Sequence, residues 1–270
     1  MTLLKLILDI LHYEVAVPKL YGLFHIACLA ACFVIPVIGT VRHPNPKESS
    51  IRRMLLITSL VVIGLEVYKQ IVFTFSFADG SLKMDYQWYA FPFQFCSTPM
   101  YVGLAAALVR RKKIYDCLCA YLVTFSLFAG LAVMFYPSSV FVDTLGVNIQ
   151  TMVCHGLMVS IGIYLLFTGY VRPAPKTLLR AVPVFTTLIT AAMIMNEWAY
   201  RTGIIKTETF NMFFISPYCA PSLPVYSLVQ TKVPFPWSVV IYILGFTLAA
   251  GIVLGLAALI QSRIRSKQTV

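Results

Sequence analysis

A thiol, an imidazole and an acid–base pair stand out in this sequence because each sits in a stretch where polar groups are expensive. Cys96 lies in YAFPFQFCSTPMYVG (89–103), with Gln94, Ser97 and Thr98 around it. His155 lies in QTMVCHGLM (150–158). Glu66 and Lys69 are three residues apart in another apolar run, which puts them on one helical face. Together these types suit nucleophilic acyl transfer: a cysteine thiolate attacks a carbonyl while a histidine takes and returns the proton. Lys69 would favour the thiolate, Glu66 would orient Lys69 or a histidine, and the amides of Gln94, Asn196 or Asn211 would donate to the oxyanion. His25 would form a second polar wall. Each residue also has a plainer reading. Cys96 fits a small buried thiol at a helix kink, and His155 a hydrogen-bond link between helices. Glu66–Lys69 fits a self-neutralising pair, His25 a headgroup contact, and Asn196 an interfacial polar residue.

The elements that must position these groups follow from composition. Of 270 residues, 59% are apolar and 11% charged, with a mean hydropathy of +0.83. Soluble domains hold about 45–50% apolar and about 25% charged residues, so this chain belongs in lipid. Apolar runs near 20–41, 54–78, 88–109, 114–136, 149–170, 177–199 and 236–261 predict an all-α bundle of seven transmembrane helices forming one integral membrane domain, 1–270. Residues 1–18, amphipathic but interrupted by Asp9, His12 and Glu14, predict an interfacial helix. The kink at Pro99 is expected to free the carbonyl of Phe95 beside Cys96. The segment 200–235 is too apolar for a solvated loop, yet Pro217, Pro221 and Pro224 break it; it is expected to fold over the outer mouth of the bundle.

Basic residues set the orientation. They concentrate in 42–53 (Arg42, Lys47, Arg52, Arg53), in 110–113, in 171–180 (Arg172, Lys176, Arg180) and in the tail. Those segments are therefore expected to be cytoplasmic, with the N-terminus outside. Trp88, Trp198 and Trp237 then fall at outer helix ends, the depth indoles prefer. The net charge of +11 is explained by this bias and by anionic lipid, which leaves no call for nucleic acid. Of seven cysteines only Cys219 lies in a loop, so neither a disulfide framework nor a metal site is expected, and no cofactor.

Depth sharpens the functional reading. At about 1.5 Å rise per residue, Cys96 comes out about 12 Å and His155 about 9 Å from their outer helix ends. Lys69 comes out at about 13 Å, Glu66 at about 18 Å and His25 at about 7 Å. Structural polar residues should scatter through the bilayer, and these gather in its outer half.

Glu-x-x-Lys, then a Pro-x-x-x-Cys-Ser stretch, then His-Gly, then an apolar loop bearing Asn211-Met212-Phe213-Phe214, resembles the YwaF-like bacterial membrane proteins. The pattern is similar, more distantly, to the transmembrane protein 164 family of phospholipid acyltransferases. The likeness spans roughly 20–260 and implies a cell-membrane multi-pass enzyme acting on membrane phospholipids through Cys96 and His155. Gln94 stands where YwaF-like proteins often carry a histidine. An ion-coupled transporter and a non-enzymatic lipid-binding protein are the alternatives; the absence of an evident internal repeat counts against the first.

Overall fold

Turn chemistry cuts the apolar runs into helices. Gly22 precedes α2 (Leu23–Arg42), and Pro44 and Pro46 separate it from α3 (Glu48–Val72). Gly203, at φ 62°, ends α8 (Pro175–Thr202) where a side chain would be strained. A computed structural model of the chain describes residues 3–203 and 209–268. Those residues are all-α apart from one hairpin and an isolated bridge between Glu14 and Thr144. The remaining helices are α1 (Leu3–Leu11), α4 (Thr98–Leu108), α5 (Lys112–Tyr121), α6 (Leu127–Phe135), α7 (Leu145–Phe167), α9 (Pro224–Gln230) and α10 (Trp237–Gln268). A π-helical turn, Leu122–Ser126, joins α5 and α6 without a break.

Among the described residues six helices are long and apolar enough to cross a membrane: α2, α3, α5–α6, α7, α8 and α10. The third run, 88–109, is not a spanning helix. It holds a 3-10 turn at Trp88–Ala90, irregular backbone over 91–97, and then α4, whose 11 residues reach about 16 Å. The physical reason is the pair Pro92 and Pro99. Pro99 does not kink a helix; it starts one, in the first turn where its missing N–H costs nothing. The carbonyl of Phe95 is not left free either, because the Thr98 hydroxyl donates to it at 2.9 Å. The second run also differs. Its helix begins at Glu48 and stops at Val72, and residues 75–78 pair with 81–84 as strands β1 (Phe75–Ala78) and β2 (Ser81–Met84). Asp79 and Gly80 turn between them with positive φ at both, the geometry a two-residue hairpin needs.

Burial identifies the central elements. In α5–α6 and in α7, 67% of the apolar window is buried, against 17% in α2 and α10 and 22% in α3 and α8. The last four therefore turn broad apolar faces outward, and α7 runs through the middle with α2, α3 and α6 packed on it. Close approach at α7 needs small residues: a Cβ on Gly162 would sit 2.8 Å from that of Leu127 on α6. At one end, here the hairpin end, α1 is tied to α3 by the Tyr68 hydroxyl on Leu11 O and by His12 on Val72 O. The opposite, basic end is laced by ion pairs. Lys112 joins Glu48 to Asp116, and Arg180 reaches Asp116 from α8. Arg52 donates to the last carbonyls of α4, those of Ala106, Ala107 and Val109.

Candidate active site

Cys96 lies in the turn that leads into α4, so helical rise does not measure its depth. It is half-buried and lines a cavity of about 30 Å³ with Thr58 and Ser59 of α3, Ser126 of the π turn, and Cys154 and Met158 of α7. That is room for a water and too little for an acyl chain. Gly103 of α4 makes the close packing beside it possible, since a Cβ there would lie 2.5 Å from Ser59 Oγ. Met100 and Met158 in the lining are side chains that repack readily.

Glu66 is buried and fully engaged. Its Oε1 accepts from Lys69 Nζ at 2.6 Å and from Gln70 Nε2 at 2.7 Å, and its Oε2 accepts from Gln150 Nε2 at 3.2 Å. Gln150 Nε2 also reaches Cys154 Sγ at 3.4 Å. Gln70 carries the network outward, donating to Ala90 O and accepting from the Tyr86 hydroxyl. Burial, and after it the charge on Glu66, push the Tyr86 phenol up to about 12, which keeps it an O–H donor. Gln150 thus links the Glu66–Lys69 pair to Cys154, which lines the same cavity as Cys96. Glu66 and Gln70 also wall a second cleft of about 410 Å³ between α3 and α4, which shares Met100 with the thiol cavity.

His155 is 5% exposed. Its Nδ1 sits 2.7 Å from Thr151 O. A carbonyl only accepts, so Nδ1 carries the proton and Nε2 presents a lone pair. Nε2 is buried without a hydrogen-bond partner. The Ser126 hydroxyl, 1% exposed on the cavity wall, is the other unpaired polar atom in this region. Further unpaired atoms belong to Tyr226, Gln230 and Tyr242, on α9 and α10.

The remaining expected site residues are committed elsewhere. His25 accepts from Tyr21 N at 2.9 Å and donates to Met134 O at 2.7 Å, which fixes α2 to the end of α6. The three amides all serve residues 210–216. Gln94 donates to Asn211 O and accepts from Phe213 N, both at 3.0 Å. Asn196 donates to Met212 O at 3.0 Å and accepts from Met212 N at 2.8 Å. Asn211 Oδ1 accepts from Ser216 N. The loop so held is buried, Phe213 fully, with Phe213 and Phe214 both at φ 58°. Phe213 stacks on Phe95, the residue before Cys96, with ring centres 5.6 Å apart.

Sequence reasoning missed Cys154, Gln150 and Ser126. Gln150 and Cys154 are four apart in an apolar run, a readable signal for a shared helical face. Ser126 carries none, because its placement depends on the π turn, which no residue pattern announces. Among the described residues no group of acids, histidines and cysteines is arranged to hold a metal ion.

No curated protein and no solved structure matches the chain. The model of the TMEM164 family matches residues 20–258, most of the sequence and every residue of the site, and the chain belongs to that family.

Proposed function

We propose that this protein is a membrane-embedded lipid acyltransferase that works through Cys96 and His155. The observation that carries the reading is the state of His155: Nδ1 is anchored on a backbone carbonyl, and Nε2 is a buried base without a partner. It stands beside Cys154 in the chain, and Cys154 shares a cavity with Cys96. The family is linked to acyltransferase activity, which supports the same chemistry. The likeness to YwaF-like bacterial proteins belongs to this reading too.

The reaction has two halves. Cys96 Sγ attacks the ester carbonyl of a phospholipid as His155 Nε2 takes the thiol proton. A C–S bond forms, the ester C–O bond breaks, and the departing hydroxyl leaves with the proton from His155. His155 then deprotonates the hydroxyl of an acceptor lipid, which attacks the thioester and returns the thiol. Lys69 stabilises the thiolate and Glu66 holds Lys69. The Ser126 hydroxyl, free on the cavity wall, is placed to donate to the oxyanion. In the loaded complex Nε2 and Sγ must come within about 2.6–3.2 Å, the reach of a general base. Gln94, Asn196 and Asn211 act at one remove, holding the buried loop that keeps water from the thioester. Residues 90–109 run from beside Gln70 at the hairpin end to beside Arg52 at the basic end, so the chain makes a seventh crossing without a spanning helix. We place the N-terminus outside and the C-terminus in the cytoplasm of a cell membrane, from the clustering of basic residues at one end.

The test is direct. The full chain is purified in phospholipid, quenched at mildly acidic pH, and searched by mass spectrometry for a hydroxylamine-sensitive acyl group on Cys96. The adduct is expected in wild type and in Cys154→Ala, and not in Cys96→Ala. His155→Ala should lower its rate of formation by about 10²–10⁴-fold, the usual range for a lost general base. An adduct on Cys154 alone, or no adduct with undiminished function in Cys96→Ala, would overturn the assignment.

A further inference from the structure

A broad concavity lies away from the hairpin end. It is a cleft of about 920 Å³ between α2 and α3, with α7 as its floor. Its rim, at the basic end, carries Arg42, His43 and Lys47, all exposed. No carboxylate lines it, and among the described residues neither Arg42 nor Lys47 has an acidic partner. Glu48, next in the chain, is turned away onto Arg52 and Lys112. Below the rim the walls are apolar, with Pro36, Met54 and the ring of Tyr164, and a Cβ on Gly39 would already touch that ring at 3.4 Å. The cleft ends on Thr58, Leu157 and Ile161, and those same residues line the cavity that contains Cys96.

We infer that this cleft holds an anionic phosphoglyceride of the leaflet at the basic end, its phosphate on Arg42, His43 and Lys47 and one acyl chain running inward toward Cys96. Three features favour lipid over any soluble ligand. The cationic rim matches a phosphate diester. The flanking helices expose Ile35 and Ile38 of α2 and Ile57 and Val61 of α3, so the cleft lies beside the hydrocarbon. And from Lys47 to Thr58 along α3 is about 16 Å, roughly half the hydrocarbon thickness, so a chain entering at headgroup level reaches the thiol cavity. The inference deepens the acyltransferase reading and rests on it only for what becomes of the chain; it admits lipid from the basic leaflet, whereas the sequence placed the chemistry in the outer half.

The test reads occupancy rather than turnover. The full chain is reconstituted in phosphatidylcholine vesicles containing phosphatidylglycerol with a photoactivatable group near the end of one acyl chain, and labelled peptides are mapped. Labelling is expected at 54–58 and 157–161, in wild type and equally in Cys96→Ala. Removing charge in Arg42→Gln and Lys47→Gln should weaken it roughly fivefold each, the contribution of one basic side chain near an anionic lipid. Ser50→Trp, which fills the exposed mouth and leaves the charges, should abolish it. Labelling that is diffuse, or undiminished in all three variants, would overturn the inference. So would protection by inorganic phosphate equal to that by unlabelled phosphatidylglycerol, which would make the rim a site for a soluble anion. A cleft that labels normally in a protein that never forms the Cys96 adduct would sink the enzyme reading and leave this one standing.

Discussion

Asn196→Ala isolates what holds the loop beside the thiol. Met212 is fully buried, and both of its backbone groups bond to the Asn196 amide, at 2.8 and 3.0 Å. Alanine leaves a buried N–H and a buried carbonyl unpaired, at about 1–3 kcal/mol each. Phe213 and Phe214, next in the chain, both sit at φ 58°, a conformation that costs about 1–3 kcal/mol per residue unless its surroundings enforce it. Taking the low estimate, about 2 kcal/mol, opening of residues 210–216 should become roughly thirtyfold more frequent. Hydrogen exchange of the Met212 and Phe213 amides in lipid nanodiscs reads this directly, with Thr190→Ala on the exposed side of α8 as control. Asn196→Asp should do no better than alanine, because it sets an oxygen against Met212 O where a donor stood. Opening also lifts Phe213 from Phe95, so alkylation of Cys96 by a small maleimide should quicken in parallel. Protection within twofold of wild type would refute the reasoning and leave aromatic packing alone as the restraint.

Replacing Glu66 by leucine strands Lys69 in a largely buried setting, at about 3–5 kcal/mol. Thermal unfolding should show most of that loss recovered in Glu66→Leu/Lys69→Met, and a double variant no better than the single would mean that pairing is not what the two residues provide. In Gly146→Ala the new Cβ falls 2.0 Å from the Tyr68 hydroxyl, so Tyr68 must leave Leu11 O and α1 should become sensitive to trypsin at Lys5; resistance equal to wild type would show that the tie is dispensable. His25→Ala removes bonds to Met134 O and Tyr21 N and should cost about 1–3 kcal/mol of stability, while folded protein still forms the Cys96 adduct at the wild-type rate. Loss of the adduct without loss of stability would bring His25 into the chemistry.

The membrane class and six of the helices were legible because a long apolar run in lipid has few other ways to satisfy its backbone. The run 88–109 misled for an identifiable reason. Hydropathy registers Phe91, Phe93 and Phe95 as favourable for a span, but it is blind to Pro92 and Pro99, which end helical pairing on either side of them. The irregular stretch between survives because side chains serve its backbone: Tyr101 donates to Pro92 O, and Thr98 to Phe95 O. Part of the polar set was legible as residue types: Glu66 and Lys69 do pair, and Gln150 ties Glu66 to Cys154, which lines the cavity of Cys96. Roles within it were not. Gln94, Asn196 and Asn211 look like oxyanion donors in a sequence, and only the position of residues 210–216 reveals that their amides are spent on backbone.

That distinction gives the site its meaning. In a low-dielectric interior an unpaired polar atom is a standing cost, so folding consumes polar side chains pairwise wherever geometry allows. Glu66 has three donors, His25 two partners, and the amides of Gln94 and Asn196 two backbone groups each. Against that background His155 Nε2 and the Ser126 hydroxyl stand out, each buried without a protein hydrogen-bond partner. Ser126 sits where the helix between α5 and α6 is wound wide, a local geometry that is itself uncommon and often accompanies function. The residue types of a reactive site can be read from a sequence, but the unpaired subset among them cannot. On the proposed reading it is that subset, the His155 lone pair and the Ser126 hydroxyl, that would receive a substrate, while the paired groups hold helices together.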